Sequence, residues 1–540
     1  MFDALFTTTT EYKKLSHALS GKGACALFGL PASGRAQVYA ALCRQLDKPL
    51  CIVTPGEAEA TRFAADLNTL GIPAAVFPAR DYVLRPIEGT AREYEYRRLA
   101  VLGELVGGRL RAVAVPAEAL TQFTTPKEDF CANTRTLHAG DTLLRDDLLA
   151  ALFGAGYTRR AQVDGPGQFS VRGDIVDIFA PDQKMPVRME FWGDEIDTLH
   201  TFDLTTQRRE DAIDKFYLSP AREVLFGKPA DAAEQLRAFL AKQRGKKKTA
   251  MADCMAADLD LLDGGAVPVN MDKYLAVRYP HPATVLDYFD DPILVAEEPA
   301  SIREADRATA YRRGEELKSL ILDGVLCAGL DNLYADPSYL WSKTGHYRTI
   351  CAENFARSMP DQPLKDIINA PAHTLPAWNG EVAGLLEDLK PLCDAGYTVT
   401  LLAGTDRAAA GLARDLRDKG IRVTTDAAAA PAAGLVQVLA GHLSAGCEFP
   451  FAKYALLTGR AFGETSSQKK KRKKAKDALN SLTEITPGDL VVHQNHGIGR
   501  YAGIQRMAVQ GVTKDYLRIE YDKKDVLYVP VTQLDLLSRY

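Results

Sequence analysis

Apolar runs and amphipathic stretches alternate through the first quarter of the chain. Apolar runs at residues 24–28 and 50–54 flank a helical pattern at 36–46, which is the βαβ arrangement of a parallel sheet. The alternation continues with helical patterns at 57–70 and 92–106 and with apolar runs at 74–77 and 111–115. These patterns predict that an α/β domain begins within residues 1–125.

The period changes to two in the segment that follows. Val187, Met189 and Phe191 alternate with polar or charged neighbours, which is typical of a half-buried antiparallel strand. We therefore predict an inserted antiparallel β module at 126–212. The first domain should then resume at 213–345, because an apolar run at 292–296 and a helical pattern at 305–322 follow there.

Two further domains are predicted in the last third of the chain. A shorter α/β pattern at 346–465 has apolar runs at 397–403, 435–439 and 453–457 around a helical pattern at 406–419. The Lys/Arg run 469–474 lies in a predicted linker, 466–485, which is either a solvated spacer or a contact for DNA phosphates. Short β runs broken by glycines predict a small Tudor-like β-barrel at 486–540.

Composition narrows the possible classes of protein. The 540 residues are too many for one core, and a net charge of −4 gives no overall field that would hold nucleic acid. We find neither an apolar run long enough to cross a membrane nor a secretion signal at the start, so we expect a cytoplasmic protein. The nine cysteines form no C-x-x-C pair. His493 and His496 have no Cys or further His nearby, and no metal site is predicted.

The loop after the first apolar run has the outline of a phosphate-binding loop. Such a loop needs two glycines separated by four residues, then a lysine and a hydroxyl residue. Gly29 and Gly34 have this spacing, but Arg35 and Ala36 occupy the two working positions. Ala36 cannot ligate Mg²⁺. The loop is therefore either a degenerate P-loop or a plain turn between strand and helix.

A second segment resembles another motif of nucleotide-hydrolysing proteins. An ATPase sheet carries an apolar strand that ends in an acidic pair, which holds Mg²⁺ and activates water. The run 294–296 ends in Glu297 and Glu298, with Glu in place of Asp. A solvated acidic strand end is the alternative. Together the two motifs predict a degenerate P-loop-type parallel sheet, and no catalytic residue is assigned to this chain.

Several segments resemble the UvrB protein of bacterial excision repair. The resemblance is carried by 167–179, 193–197, 284–289 and 294–299. It is stronger to the UvrB-like front part of bacterial transcription-repair coupling factors. UvrB has an intact P-loop and a Tyr-rich hairpin after its third strand, whereas here the chain passes from Phe77 to a helix near Arg92 without room for one. The resemblance implies that the β module binds UvrA through Arg159 and Arg172. Phe179 is either an apolar neighbour of that contact or core.

The C-terminal segment resembles the CarD-type module with which coupling factors hold the β subunit of RNA polymerase. The matching stretches are 487–501, 515–517 and 527–531. In the family the contact is apolar and centred on the strand that here contains Ile504, Arg506 and Met507. An exposed apolar residue on a strand edge is a plausible anchor, and the alternative is that Met507 belongs to the barrel core.

The resemblance implies a factor in transcription-coupled DNA repair that binds stalled RNA polymerase and recruits UvrA. Full-length members continue into an ATP-dependent DNA translocase. We therefore expect this chain to be a fragment or a short form, without a cofactor of its own. ATP, Mg²⁺ and most DNA contacts would belong to the motor. We expect a monomer. A UvrB-like ATP-dependent damage-binding enzyme and a CarD-like transcription regulator remain the alternatives.

Overall fold

The computed structural model describes most of the chain. The described residues are 7–86, 92–356, 362–378, 382–459, 486–493, 496–509, 512–521, 525–530 and 537–540. They form a multidomain α/β structure with one large parallel sheet and several sheets that contain antiparallel strands. Among these residues no helix has the length and apolarity that crossing a membrane requires.

The first α/β domain is built on a seven-stranded sheet in which every pair is parallel. Strands at the centre of the sheet, such as Leu50–Thr54, Ala112–Pro116 and Ile293–Glu297, are buried along their whole length because helices cover both faces. In sheet order the seven strands are Leu364–Asn369, Gly23–Phe28, Arg348–Glu353, Ile293–Glu297, Leu50–Thr54, Ala112–Pro116 and Ala74–Val76. One face packs on helices Thr10–Ala18, Ala32–Leu46 and Glu57–Thr69, and the other on Glu93–Val106, Ala117–Leu120 and Pro299–Leu322.

The structure corrects one predicted domain boundary. Strands Arg348–Glu353 and Leu364–Asn369 both pair with Gly23–Phe28, so the first domain continues beyond residue 345. An apolar run shows that a strand exists but does not show which sheet it joins. Pairing here is decided by residues more than 300 positions apart, such as Cys25 and Ile350.

The inserted β module contains a six-stranded sheet. Its strands, in sheet order, are Arg209–Ala212, Glu195–Phe202, Val187–Trp192, Ile175–Phe179, Gln168–Arg172 and Thr158–Arg159. All pairs are antiparallel except the last, which is parallel. Helix Arg145–Gly154 packs on one face through Leu148 and Leu152. Arg135–His138 and Lys215–Leu218 form a two-stranded antiparallel sheet where the chain enters and leaves the module.

A helical part of the first domain follows the module. Its core contains Leu236, Met251 and Tyr274 together with residues of the segment after Phe77, including Tyr82 and Leu84. Arg80 in that segment forms buried ion pairs with Asp272 and Glu223. The helices of this part, with the short ones nearby, are Lys127–Ala132, Pro229–Ala241, Gly245–Asp263, Met271–Tyr274, Leu275–Arg278, Val285–Tyr288 and Tyr339–Lys343.

The second α/β domain has a mixed six-stranded sheet. In order its strands are His373–Leu375, Gly446–Phe449, Tyr454–Thr458, Thr398–Leu402, Val436–Leu439 and Val423–Thr424. Helices Val382–Asp394 and Asp406–Asp418 pack on it, and Pro450–Ala452 forms a short helical turn. Asp406–Asp418 is amphipathic, with Leu412 and Leu416 buried. The predicted strands and helix of this domain are all present.

The C-terminal sheet is antiparallel and has five strands. In order they are Val526–Pro530, Val512–Glu520, Gly497–Val509, Leu490–His493 and Leu537–Arg539. No pairing joins the two outer strands among the described residues, so the closed Tudor-like barrel stays a prediction. The predicted linker 466–485 lies outside the described residues.

Candidate functional site

The Gly29–Ala36 loop connects the first strand to helix Ala32–Leu46. Gly29 has a φ of 87°, a left-handed conformation that favours glycine. A Cβ atom there would lie 3.1 Å from the carbonyl oxygen of Ala370. The helix begins at Ala32, four residues earlier than predicted, because the extended Pro31 precedes it directly. Gly34 and Arg35 therefore lie in the first turn of the helix, and Ala36 follows directly.

Arg35 and the acidic strand end form a buried ion-pair cluster. Arg35 Nε lies 3.1 Å from Glu297 Oε2, and Arg35 Nη1 lies 2.8 Å from Glu298 Oε1. The Tyr39 hydroxyl donates a 2.5 Å hydrogen bond to Glu297 Oε1. The side chains of Arg35 and Glu297 are only 4% and 2% exposed. The residues in the lysine and acidic positions of the two motifs thus bind each other.

The burial of this cluster affects the pKa of the Glu297 carboxyl. Loss of water raises the pKa of the Glu297 carboxyl, while the charge of Arg35 and the hydrogen bond from Tyr39 act in the opposite direction. Tyr39 was not predicted as a member of the cluster. It lies four positions after Arg35 and hence on the same face of the helix, which is the signal that could have identified it.

The second α/β domain covers the start of this helix. Ser33 Oγ donates a 3.5 Å hydrogen bond to the carbonyl oxygen of Gly446. A Cβ atom on Gly34 would lie 2.9 Å from Cys447 Sγ and 3.4 Å from the Phe449 ring. Residues of the second α/β domain therefore pack directly against the first turn of this helix.

Gly34→Ala is expected to destabilise this contact between the two domains. The added methyl group overlaps the buried Cys447 sulfur, and overpacking of this kind costs about 1–3 kcal/mol in the free energy of unfolding. Chemical denaturation of the whole chain measures the loss. Gly34→Ala/Cys447→Ala should recover most of it, since the second change removes the overlapping atom.

Gly411→Ala is the matched control. Gly411 is also helical, but nothing lies within 4 Å of a Cβ atom placed there. Alanine at that position should stabilise the helix by about 0.5–1 kcal/mol. Equal effects of alanine at positions 34 and 411 would contradict the close packing at Gly34.

The predicted UvrA-binding arginines belong to neighbouring strands at one edge of the inserted sheet. Arg159 is exposed in the edge strand, beside Phe169 of the next strand. Arg172 ends that next strand, and its side chain is 48% exposed. Its Nη2 lies 2.7 Å from Oδ2 of the fully buried Asp177, which also binds Arg188 at 2.6 and 2.9 Å. Asp177 therefore orients the Arg172 guanidinium while leaving half of the side chain accessible.

Phe179 occupies the core and not the surface. It is 6% exposed and packs with Val163 and Phe202 in a small cluster that is separate from the main core of the module. Of the two roles considered for Phe179, the structure supports core. Phe179 ends strand Ile175–Phe179, which has apolar residues on both faces, so the sequence alone gives no signal that distinguishes the two roles.

The predicted polymerase-binding strand is present as Gly497–Val509. Ile504 is 47% exposed, although its cross-strand partner Leu517 is fully buried. Arg506 and Met507 belong to the same strand, opposite Asp515 and Lys514. Their side chains lie outside the described part of the structure.

Two regions of the chain match known domain families. Residues 136–224 match the UvrB interaction domain, which agrees with the inserted β module. Residues 485–540 match the CarD-like/TRCF RID domain, which contains the C-terminal sheet. Both matches fall on the segments that the sequence patterns singled out.

Relatives along nearly the whole chain are named transcription-repair-coupling factor. The protein of Bacillus subtilis (strain 168) is 28% identical over 529 residues, and that of Staphylococcus haemolyticus (strain JCSC1435) is 27% identical over 530. Each comparison covers 95% of this chain but only 45% of the relative. The chain thus spans slightly less than half the length of these relatives, to which it is similar along nearly all of its own length.

Proposed function

We propose that this chain is the adaptor part of a transcription-coupled DNA repair factor. It binds RNA polymerase through the C-terminal sheet and recruits UvrA through the inserted β module. The observation that carries the proposal is the presence of a UvrB interaction domain and a CarD-like/TRCF RID domain on one chain. Two binding domains on one chain raise the local concentration of the second partner once the first is bound.

The proposed UvrA surface is the sheet edge that contains Arg159 and Arg172. Arg159 is exposed and the side chain of Arg172 is half exposed, and Arg172 is held in one orientation by Asp177. A preorganised arginine loses less conformational entropy when it binds a carboxylate across an interface. The buried Phe179 supports the sheet from the interior and is not included in the surface.

The proposed polymerase surface is the strand with Ile504, Arg506 and Met507, and its partner is the β subunit. Ile504 supports it, because a half-exposed branched apolar side chain on a regular strand contributes area to an interface at little entropic cost. In this proposal the five strands act as the Tudor-like module of the family.

We further propose that residues 1–540 do not hydrolyse nucleotide. Arg35 forms ion pairs with Glu297 and Glu298. Cys447 and Phe449 fill the space next to the Gly34 Cα atom. ATP-driven movement on DNA would then belong to the part of the relatives that this chain does not cover. The loop would be a degenerate P-loop whose remaining role is structural.

A bridging assay tests the adaptor function. Immobilised polymerase β subunit should retain UvrA only when the wild-type chain is added. Ile504→Arg should weaken β-subunit binding at least about 30-fold, the loss expected for an interface hot spot, and leave UvrA binding unchanged. Ile498→Arg is the matched control, because Ile498 is similarly exposed but precedes Ile504 on the same strand and lies beyond the irregularity between Tyr501 and Gly503. Undiminished bridging by Ile504→Arg would refute the proposed surface.

A further inference from the structure

A cluster of three metal-ligating side chains lies where the C-terminal sheet contacts the first α/β domain. Glu93 is the first residue of helix Glu93–Val106, His493 ends strand Leu490–His493, and His496 immediately precedes the next strand. Glu93 Oε1 lies 3.0 Å from His496 Nε2 and 3.5 Å from His493 Nε2. The three ligand atoms all lie within 4.8 Å of one another.

The carboxylate in this cluster is buried. Glu93 is 3% exposed, and neither of its oxygens accepts a hydrogen bond of good geometry among the described residues. The hydroxyl group of Tyr521, also buried, likewise has no hydrogen-bond partner in that part of the chain. A buried carboxylate needs a compensating positive charge nearby, and a cation bound between Glu93 and the two imidazoles would supply one.

The two distances from Glu93 fit a tetrahedral site. Zinc binds imidazole nitrogen and carboxylate oxygen at about 2.0–2.2 Å, so ligand atoms at tetrahedral angles are about 3.3 Å apart. The two distances from Glu93 bracket that value. We propose that Glu93, His493 and His496 bind one divalent transition-metal ion, with zinc as the preferred occupant, and that this ion fastens the C-terminal sheet to the first α/β domain.

The origin of the ligands determines what the ion does. Two ligands come from the C-terminal sheet and one from the first domain, so full affinity exists only when the two are in contact. By linkage, metal binding favours the docked arrangement. Two imidazoles and one carboxylate leave a fourth position open, which water can occupy.

Metal titration of the whole chain tests the site. After removal of metal with a chelator, isothermal titration with ZnCl₂ should show one tight site. Loss of a hydrogen-bond partner of a metal ligand already weakens binding about 10–100-fold, so loss of a ligand should weaken it at least about 100-fold. Glu93→Gln and His496→Gln should both do so. His496 is 40% exposed, so its replacement should leave the fold intact. The matched control is His373→Gln, an exposed histidine of the second α/β domain, which should bind as wild type does.

Cobalt distinguishes this site from one formed by cysteines. Cys131 is the exposed cysteine among the nine. Co²⁺ at the proposed site should give visible d–d bands without a thiolate-to-cobalt charge-transfer band, and His496→Gln should abolish those bands. A charge-transfer band at one equivalent, no saturable zinc binding, or zinc affinity unchanged in both variants would each overturn the assignment.

Hydrogen exchange tests the bridging role. Zinc should slow amide exchange in the first turn of helix Glu93–Val106 and in strand Leu490–His493 together, because a ligand in each element is held by one ion. His496→Gln should remove this protection while keeping the metal-free exchange pattern of the wild type. Tight zinc binding that protects only one of the two elements would refute the bridge.

Discussion

Replacing Glu297 by leucine should lower the free energy of unfolding of the first α/β domain by about 3–5 kcal/mol. The change removes the carboxylate from a buried ion pair, leaving Arg35 with Glu298, which is 37% exposed. The Tyr39 hydroxyl also loses its buried acceptor. Because the chain has several domains, unfolding by denaturant should show more than one transition in circular dichroism. The transition of the first α/β domain should move to a lower denaturant concentration than in the wild type.

Two further variants separate this cost from simple loss of packing. Arg35→Met/Glu297→Leu should be more stable than Glu297→Leu alone, because the double change leaves no uncompensated charge. Glu298→Gln should cost only about 1 kcal/mol, since its carboxylate is partly solvated. If the double variant were less stable than Glu297→Leu, the buried charge would not be the cause.

Arg159→Glu combined with Arg172→Ala should weaken UvrA binding by at least about 100-fold. Each change removes an arginine proposed to contact a carboxylate of UvrA, and tenfold per contact corresponds to about 1.4 kcal/mol. Alanine is chosen at position 172 because a glutamate there would face the buried Asp177. Arg188 still compensates Asp177 in this variant, so the module should keep its fold. Biolayer interferometry with immobilised UvrA measures the loss.

Arg209→Glu is the control for charge. Arg209 is also an exposed arginine of the inserted sheet, but it belongs to the strand at the opposite edge. Its reversal changes the net charge of the module by the same amount as reversal at 159. UvrA binding should therefore stay close to wild type. A similar loss with Arg209→Glu would indicate attraction by overall charge and not a contact at the predicted edge.

The secondary structure could be predicted closely where a local pattern specified it. Strand Leu50–Thr54 has the bounds that its apolar run predicted, and helix Glu57–Thr69 differs by one residue. The start of helix Ala32–Leu46 was missed, since residues 32–35 were assigned to the loop. Helix ends depend on the backbone conformation of one or two residues, which a hydrophobic period does not contain.

The candidate sites were predictable to a different extent. The loop glycines, Arg35 and the acidic pair were identified as two separate motifs, and the two arginines of the module were found through a resemblance. The pairing between these side chains was not predicted. Whether Phe179 is core or contact, and which residues cover Gly34, depends on packing between segments that are distant in the chain.

The sequence by itself determined the order of domains, most strands and helices, and the absence of the lysine and hydroxyl residues that a working P-loop needs, because each is encoded within a short window. Only the tertiary structure decided how these parts meet. Tyr39 and Glu297 are 258 positions apart and share a hydrogen bond, and Glu93 contacts His493 and His496, which follow it by 400 and 403 positions. Sheet order and domain packing create such contacts, and no local period records them.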